Sequence, residues 1–322
     1  MEYLNKLNRR KEESDNNKSK CELENIKTDY FLRTLFNNIS KKKLLEIIKY
    51  NNKTKGKLDL NINEYKKYCE TYSSIEVEII PCQNKYGKFI NIKDEEKSFF
   101  HIFFNNSKDQ IRRNNLNEDD KVTKINIVID YQVKSFEELF SECICIESIY
   151  FKKFYRNNIN NMFRMFYECS SLKELNLSNF KTDNVTNMYG MFCGCSALRE
   201  IDISTFTTNK VTDMVEMFFG CSNLKELNLS NFNTENINNI CFMFYGCSSL
   251  LKLDLSNFNT DKVDDMRGMF TNCSSLKEIN ISNFNTELVT DMSGMFLGCS
   301  EEIQNQARTQ LKNISEWAFE GF

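Results

Sequence analysis

The chain has 322 residues, of which 41% are apolar and 27% charged, enough apolar material for a sizeable core and against wholesale disorder. A net charge of −3 leaves no basic footprint for a phosphate backbone and speaks against nucleic-acid binding. With one histidine (His101), one proline (Pro81) and one tryptophan (Trp317), most His-dependent triads, His-rich zinc sites and imidazole relays are ruled out.

The first residues, MEYLNKLNRRKEESDNNKSK, lack the apolar core of a signal peptide, and no stretch approaches the roughly 20 apolar residues of a membrane span. The expectation is a cytoplasmic protein with no membrane insertion. The alternative is the cell surface, should the gene model lack an export signal. Residues 1–28 are charged and Asn/Lys-rich and predict a disordered polar tail.

Residues 29–74 predict a helical module: YFLRTLFNNI, then KKKLLEIIKY with its stripe of Leu44, Leu45, Ile47 and Ile48, then NINEYKKYCETY. The string LRTLFNNISKKKLLEIIKYN resembles an F-box, and that resemblance implies a substrate receptor docked on a ubiquitin-ligase scaffold. Residues 75–121 predict a small β or α+β capping region. It holds strands at IEVEIIP and KFINI, a strand or helix at SFFHIFF, and a loop at NNSKDQIRRNNLNEDDK.

From 122 to 300 the chain repeats every 26 residues. Cys143, Cys169, Cys195, Cys221, Cys247, Cys273 and Cys299 keep this step, as do Phe140, Phe166, Phe192, Phe218, Phe244, Phe270 and Phe296. In the unit CSSLKELNLSNFKTDNVTNMYGMFCG, the alternation ending at Leu175 and Leu177 predicts a short strand. Val185, Met188, Met191, Phe192 and Cys195 fall at the spacing of an amphipathic helix. Thr182 and its equivalents Thr208, Thr234, Thr260 and Thr286 stand where they would cap that helix. Gly194, Gly220, Gly246 and Gly298, with Asn272, stand where they would stop it. Stepping back, KVTKINIVID reads as a first, degenerate strand. The fold class expected is an α/β repeat solenoid, a horseshoe or arc of about seven strand–turn–helix coils stacked because a lone coil leaves both flat faces wet.

The recurring CSSLKELNLSNFxTxxVTxMxxMFxG resembles the 26-residue leucine-rich repeats of the BspA-like surface-protein family of mycoplasmas, oral bacteria and protists. That resemblance implies a leucine-rich-repeat solenoid and, in several members, adhesion to a host surface. Residues 301–322, EEIQNQARTQLKNISEWAFEGF, predict a C-terminal capping helix with Trp317 and Phe319 folded on the last coil.

The thirteen cysteines admit three readings: stacked free thiols, disulfides between neighbouring coils, or a metal site. Stacked thiols are favoured, because a free Cys packs as a small hydrophobe, the ladder is odd in number, and Cys143/Cys145 and Cys193/Cys195 lack zinc-ligand spacing. No cofactor or metal is expected. Asn179, Asn231, Asn257 and Asn283, interrupted by Thr205, read as an asparagine ladder bonded to adjacent backbone rather than as a binding row. Met188, Met214, Met266 and Met292 read as core. The sequons at Asn176 and Asn280 fall inside strands and are discounted.

What remains for binding is the outward side of the strands: Glu174, Glu200, Glu226, Lys252 and Glu278; Asn176, Asp202, Asn228, Asp254 and Asn280; and a serine row beginning at Ser178. These rows lack the Trp, Tyr and Arg anchors of interface hot spots, so a merely solvated surface is the competing reading. The function expected is a non-catalytic protein–protein interaction scaffold holding a protein partner on this face, with the F-box-like receptor and the surface adhesin as alternatives. Oligomeric state is not legible.

Overall fold

The structure is a computed structural model that describes residues 62–321. The chain divides into two compact units, Met1–Tyr68 and Cys69–Phe322. Of the first unit, only the start of helix α1 (Ile62–Tyr72) is described. The polar tail, the two earlier helices and the F-box-like string lie outside the described residues.

In the second unit, β1 (Ile75–Pro81), β3 (Phe100–Phe104) and β5 (Ile125–Ile129) bury every other residue, as strands with one covered face must. They join β6 (Ile146–Lys153) and β7 (Glu174–Asn176) in one sheet of order β3-β5-β1-β6-β7. The first three pairings are antiparallel, with Val77 facing Ile127 on one side and Phe151 on the other; β6 and β7 then pair in parallel. β2 (Gly87–Lys88) and β4 (Asn115–Leu116) form a separate antiparallel pair. The segment SFFHIFF resolves into the end of a 3-10 turn (Asp94–Phe99) followed by β3. KINIVID, expected as the first, degenerate strand of the array, is β5 and runs antiparallel to both neighbours. Its alternating pattern marks a half-buried strand but carries no direction.

The expected α/β class does not hold. The two α-helices among the described residues, α1 and α2 (Glu301–Gln310), lie outside the repeats, and no coil contains one. The strand–turn–helix leucine-rich-repeat coil is therefore overturned. What the chain forms is a stack of coils, mostly turns, with small mixed sheets instead of one continuous strand ladder.

The cause lies in where the backbone N–H groups point. In a helix all would reach back four residues. Here alternate amides leave the coil: Met162, Arg164, Phe166 and Glu168 donate to the carbonyls of Asn187, Tyr189, Met191 and Cys193 in the next coil at 2.7–3.0 Å. The intervening Met165, Tyr167 and Cys169 close three-residue turns onto Met162, Arg164 and Phe166. Two left-handed positions four residues apart, such as Arg164 and Glu168 or Gly190 and Gly194, make this zigzag and interrupt any helix. Side chains still fall at i, i+3 and i+7, which is why the stripe reads as helical.

The core is one continuous column. Phe140, Phe166, Phe192, Phe218, Phe244, Phe270, Phe296 and Phe319 stack at 5.2–5.9 Å with ring planes within 23° of parallel. Offset ring pairs contribute about 0.5–1.5 kcal/mol each beyond their buried area.

Polar side chains bond the coils together. The buried hydroxyls of Thr182, Thr208, Thr234 and Thr260 each donate to a carbonyl 25 residues on and accept from that residue's own N–H, at 2.7–3.0 Å. They are clips to the next coil, not helix caps. The Asn257 amide donates to the carbonyls of Leu229 and Phe232 in the preceding coil, and Asn231 does likewise to Ile203. The last coil is finished by α2, whose Gln306 and Gln310 side chains bond the free edge of β9 (Glu278–Asn280) at the N–H groups of Ile279 and Ile281.

Candidate functional site

The strand face carries the candidate residues, and each coil enters and leaves it in the same way. On leaving, an Asn or Asp closes a side-chain turn: the Oδ1 atoms of Asn176, Asp202, Asn228, Asp254 and Asn280 accept the N–H of the serine two residues on at 3.0–3.3 Å. This row therefore shapes the corner of every coil. The hydroxyl of Ser204 beside Asp202, and the N–H of Ser256 beside Asp254, hold those carboxyls below the usual range.

The remaining row divides. Glu174, on β7, accepts a hydrogen bond from the Tyr150 hydroxyl, which raises the tyrosine's pKa. Lys252, on β8 (Lys252–Asp254), pairs with Glu278 on β9 at 2.6 Å across the parallel β8–β9 ladder. Glu200 and Glu226 in the middle coils are exposed and, among the described residues, have no ion-pair or hydrogen-bond partner. The sheet is interrupted between β7 and β8. The Lys225 N–H still reaches the Arg199 carbonyl at 3.3 Å, and Leu251 reaches Lys225 at 3.2 Å. Among the described residues, however, no backbone bond links 200–202 or 226–228 to a neighbouring strand segment.

Two hollows occupy this break. One, of about 440 Å³, gathers Glu174, Asn176, Ser178, Glu200 and Asp202 beside Tyr150 and Lys173. The other, of about 670 Å³, gathers Glu200, Glu226, Asn228, Lys252 and Asp254. Glu278 and Asn280 line neither. The second hollow has an apolar floor of half-buried Ile201 and Leu227 and exposed Leu251, which the polar-row reading missed. Leu251 was discoverable: it stands where the other coils carry Lys173, Arg199, Lys225 and Lys277.

The laddered thiols are not a reactive site. Each of Cys169, Cys195, Cys221, Cys247, Cys273 and Cys299 donates to the carbonyl of the stacked phenylalanine one coil back, at 2.9–3.2 Å. Burial pushes Cys169 and Cys299 up to about 12 and the others upward too, against the lowered pKa of a nucleophilic cysteine. Among the described residues no group of His, Cys, Asp and Glu is arranged to hold a metal ion, and no helix is long and apolar enough to cross a membrane.

With this repeating architecture in view, comparison places the chain in a family. Residues 134–247 and 219–320 match DUF285, described as a Mycoplasma protein of unknown function, and together they span more than half of the chain. The chain belongs to the DUF285 family. No curated protein and no solved structure matches it. The matched residues of this DUF285 chain hold the whole polar strand face and most of the stack, whereas β1 to β5 lie before them.

Proposed function

We propose that this DUF285 protein is a non-catalytic scaffold that holds a protein partner on its strand face, centred on Glu200, Asp202, Glu226 and Asn228. The observation that carries the reading is the pair of carboxylates, Glu200 and Glu226, unpartnered among the described residues, beside the apolar floor of Ile201, Leu227 and Leu251. By contrast, Glu278 pairs with Lys252 and Glu147 with Lys173. An apolar centre with an acidic rim is the make-up of a protein interface, and its complement is a partner with an apolar anchor flanked by basic side chains. The resemblance of the repeat to BspA-like surface-protein repeats supports contact with another macromolecule.

The test is proximity labelling in the native cell with the full chain and with a Glu200→Lys/Glu226→Lys double variant. The expected result is a small set of protein neighbours that the variant loses while its fold, followed by circular dichroism, is unchanged. An identical neighbour set for both chains would overturn the proposal.

A further inference from the structure

In a stack of equivalent coils each junction can be measured against the others, because stability is a sum of nearest-neighbour contacts. Where the turn half of a coil begins, Met162, Met188, Ile240 and Met266 donate to the carbonyl 25 residues on at 2.9–3.1 Å. Just before them, Thr186, Thr212, Asp264 and Thr290 donate back to the carbonyl 26 residues earlier at 2.8–2.9 Å. Among the described residues, both bonds are lost at one junction, between coils 195–220 and 221–246. There the N–H of Met214 does not reach Asn239, and that of Asn238 does not reach Thr212. The parallel bridges running from Ser135 to Asp213 and from Asn239 to Asp291 stop between Asp213 and Asn239. The next rung, Glu216 to Cys241, is stretched to 3.3 Å, where Arg164 and Phe242 make theirs at 2.8–2.9 Å.

The strand half of the same junction is loose as well. Among the described residues it keeps one backbone bond, from the Lys225 N–H to the Arg199 carbonyl at 3.3 Å, against 2.8 and 2.9 Å for Lys173 and Lys277. What still spans the junction lies at two other places. The Thr208 hydroxyl clips Asn233 between the strand half and the turn half. At the far end of the turn half, Phe218 and Gly220 donate to Met243 and Tyr245 at 2.7–2.9 Å, and the Phe218 ring stacks on Phe244 at 5.8 Å. Two substitutions mark the spot in the sequence. Exposed Asn238 replaces the threonine whose hydroxyl, at 186, 212 and 290, donates to the preceding coil at 3.0–3.2 Å. Buried Ile240 replaces the methionine of the other coils and brings a branched Cβ against the backbone.

We propose that the stack carries a built-in joint between coils 195–220 and 221–246, about which its two parts rock as rigid bodies. The line through the Thr208 clip and the Phe218–Gly220 bonds is the axis, and the strand and turn halves are the free edges. Glu200 stands on one side of the joint and Glu226 on the other, and both line the larger hollow. Rocking therefore sets the distance between these two carboxylates. That use of the joint rests on the strand face being the binding surface; the joint itself does not.

The test is amide hydrogen exchange of the full chain, resolved by nuclear magnetic resonance, in the natural sequence and in an Asn238→Thr/Ile240→Met variant. The variant installs residues that equivalent coils already use. In the natural chain, Glu216 on the turn half and Lys225 on the strand half are expected to exchange about a hundredfold faster than Arg164, Phe242 and Lys173, and with one common opening constant. The variant, altered on the turn half alone, is expected to slow both by about tenfold, the worth of one restored hydrogen bond. Either of two results would overturn the joint: Glu216 as protected as Arg164 and Phe242 in the natural chain, or Glu216 slowed by the variant while Lys225 is not. The first comparison needs no variant. Neither readout involves a partner, so a failure of the strand-face reading, seen as neighbours unchanged by Glu200→Lys/Glu226→Lys, is distinct from a failure of the joint.

Discussion

The thiol of Cys195 donates to the carbonyl oxygen of Phe166 at 3.1 Å, and that oxygen also accepts the N–H of Cys169 at 3.2 Å. One buried carbonyl thus ties two coils, using both lone pairs. Cys195→Ala removes one donor and leaves a small void. We expect a loss of about 1–3 kcal/mol in urea denaturation, with no change in far-ultraviolet circular dichroism.

Alkaline pH tests the thiol column as a whole. Burial raises Cys169 and Cys299 from 9.0 to about 12. The unfolded chain therefore gives up these protons first, so their contribution is complete below the unfolded value and is lost as pH rises through the folded one. Stability should be flat with respect to these groups at neutral pH and fall between 9.0 and about 12, by about 1.4 kcal/mol per pH unit for each thiol. Denaturation curves across this range check it. A stability that rises with pH there contradicts the assignment.

Thr234 separates the clip from the cap. Its hydroxyl donates to the Asn259 carbonyl at 2.8 Å and accepts the Asn259 N–H at 2.8 Å. Thr234→Val orphans both, and we expect a loss of about 2–4 kcal/mol, whereas loss of a helix N-cap costs about 1 kcal/mol. Thr234→Ser should recover most of the loss.

The edge of β9 gives a fourth test. Gln306 and Gln310 accept from Ile279 and Ile281, and their amides donate to the carbonyls of Lys277 and Ile279. A Gln306→Leu/Gln310→Leu chain leaves a bare edge strand. It should associate in a concentration-dependent way in light scattering, because such an edge pairs with another chain.

The 26-residue step makes the interior legible in the sequence. The columns headed by Phe140 and Cys143 and the alternating Leu175 and Leu177 are all buried. The asparagine ladder bonded to preceding turns was also legible, because a recurring amide beside a strand must find backbone partners. The helix is not legible from spacing, because two backbones can deliver the same side-chain spacing, and spacing alone does not say whether an amide bonds within the coil or beyond it. One signal was present: Gly190, Gly268 and Gly294 fall inside the supposed helix, where glycine is unfavourable. On the strand face the polar rows were readable, but the interruption between β7 and β8 that opens the hollows was not. It arises from pairing lost between neighbouring coils, and all of these coils carry the same motif.

The amides of the zigzag turn segments look forward along the chain, whereas those of Thr186, Thr212 and Lys225 look back. Among the forward-looking ones, those of Met162 to Glu168 wait for residues 187–193, and those of Gly294 and Phe296 are answered only by the carbonyls of Trp317 and Ala318. During synthesis every newly made rung is thus one step short of satisfied. The growing chain trails a moving front of unanswered donors, which closes only once residue 318 has emerged.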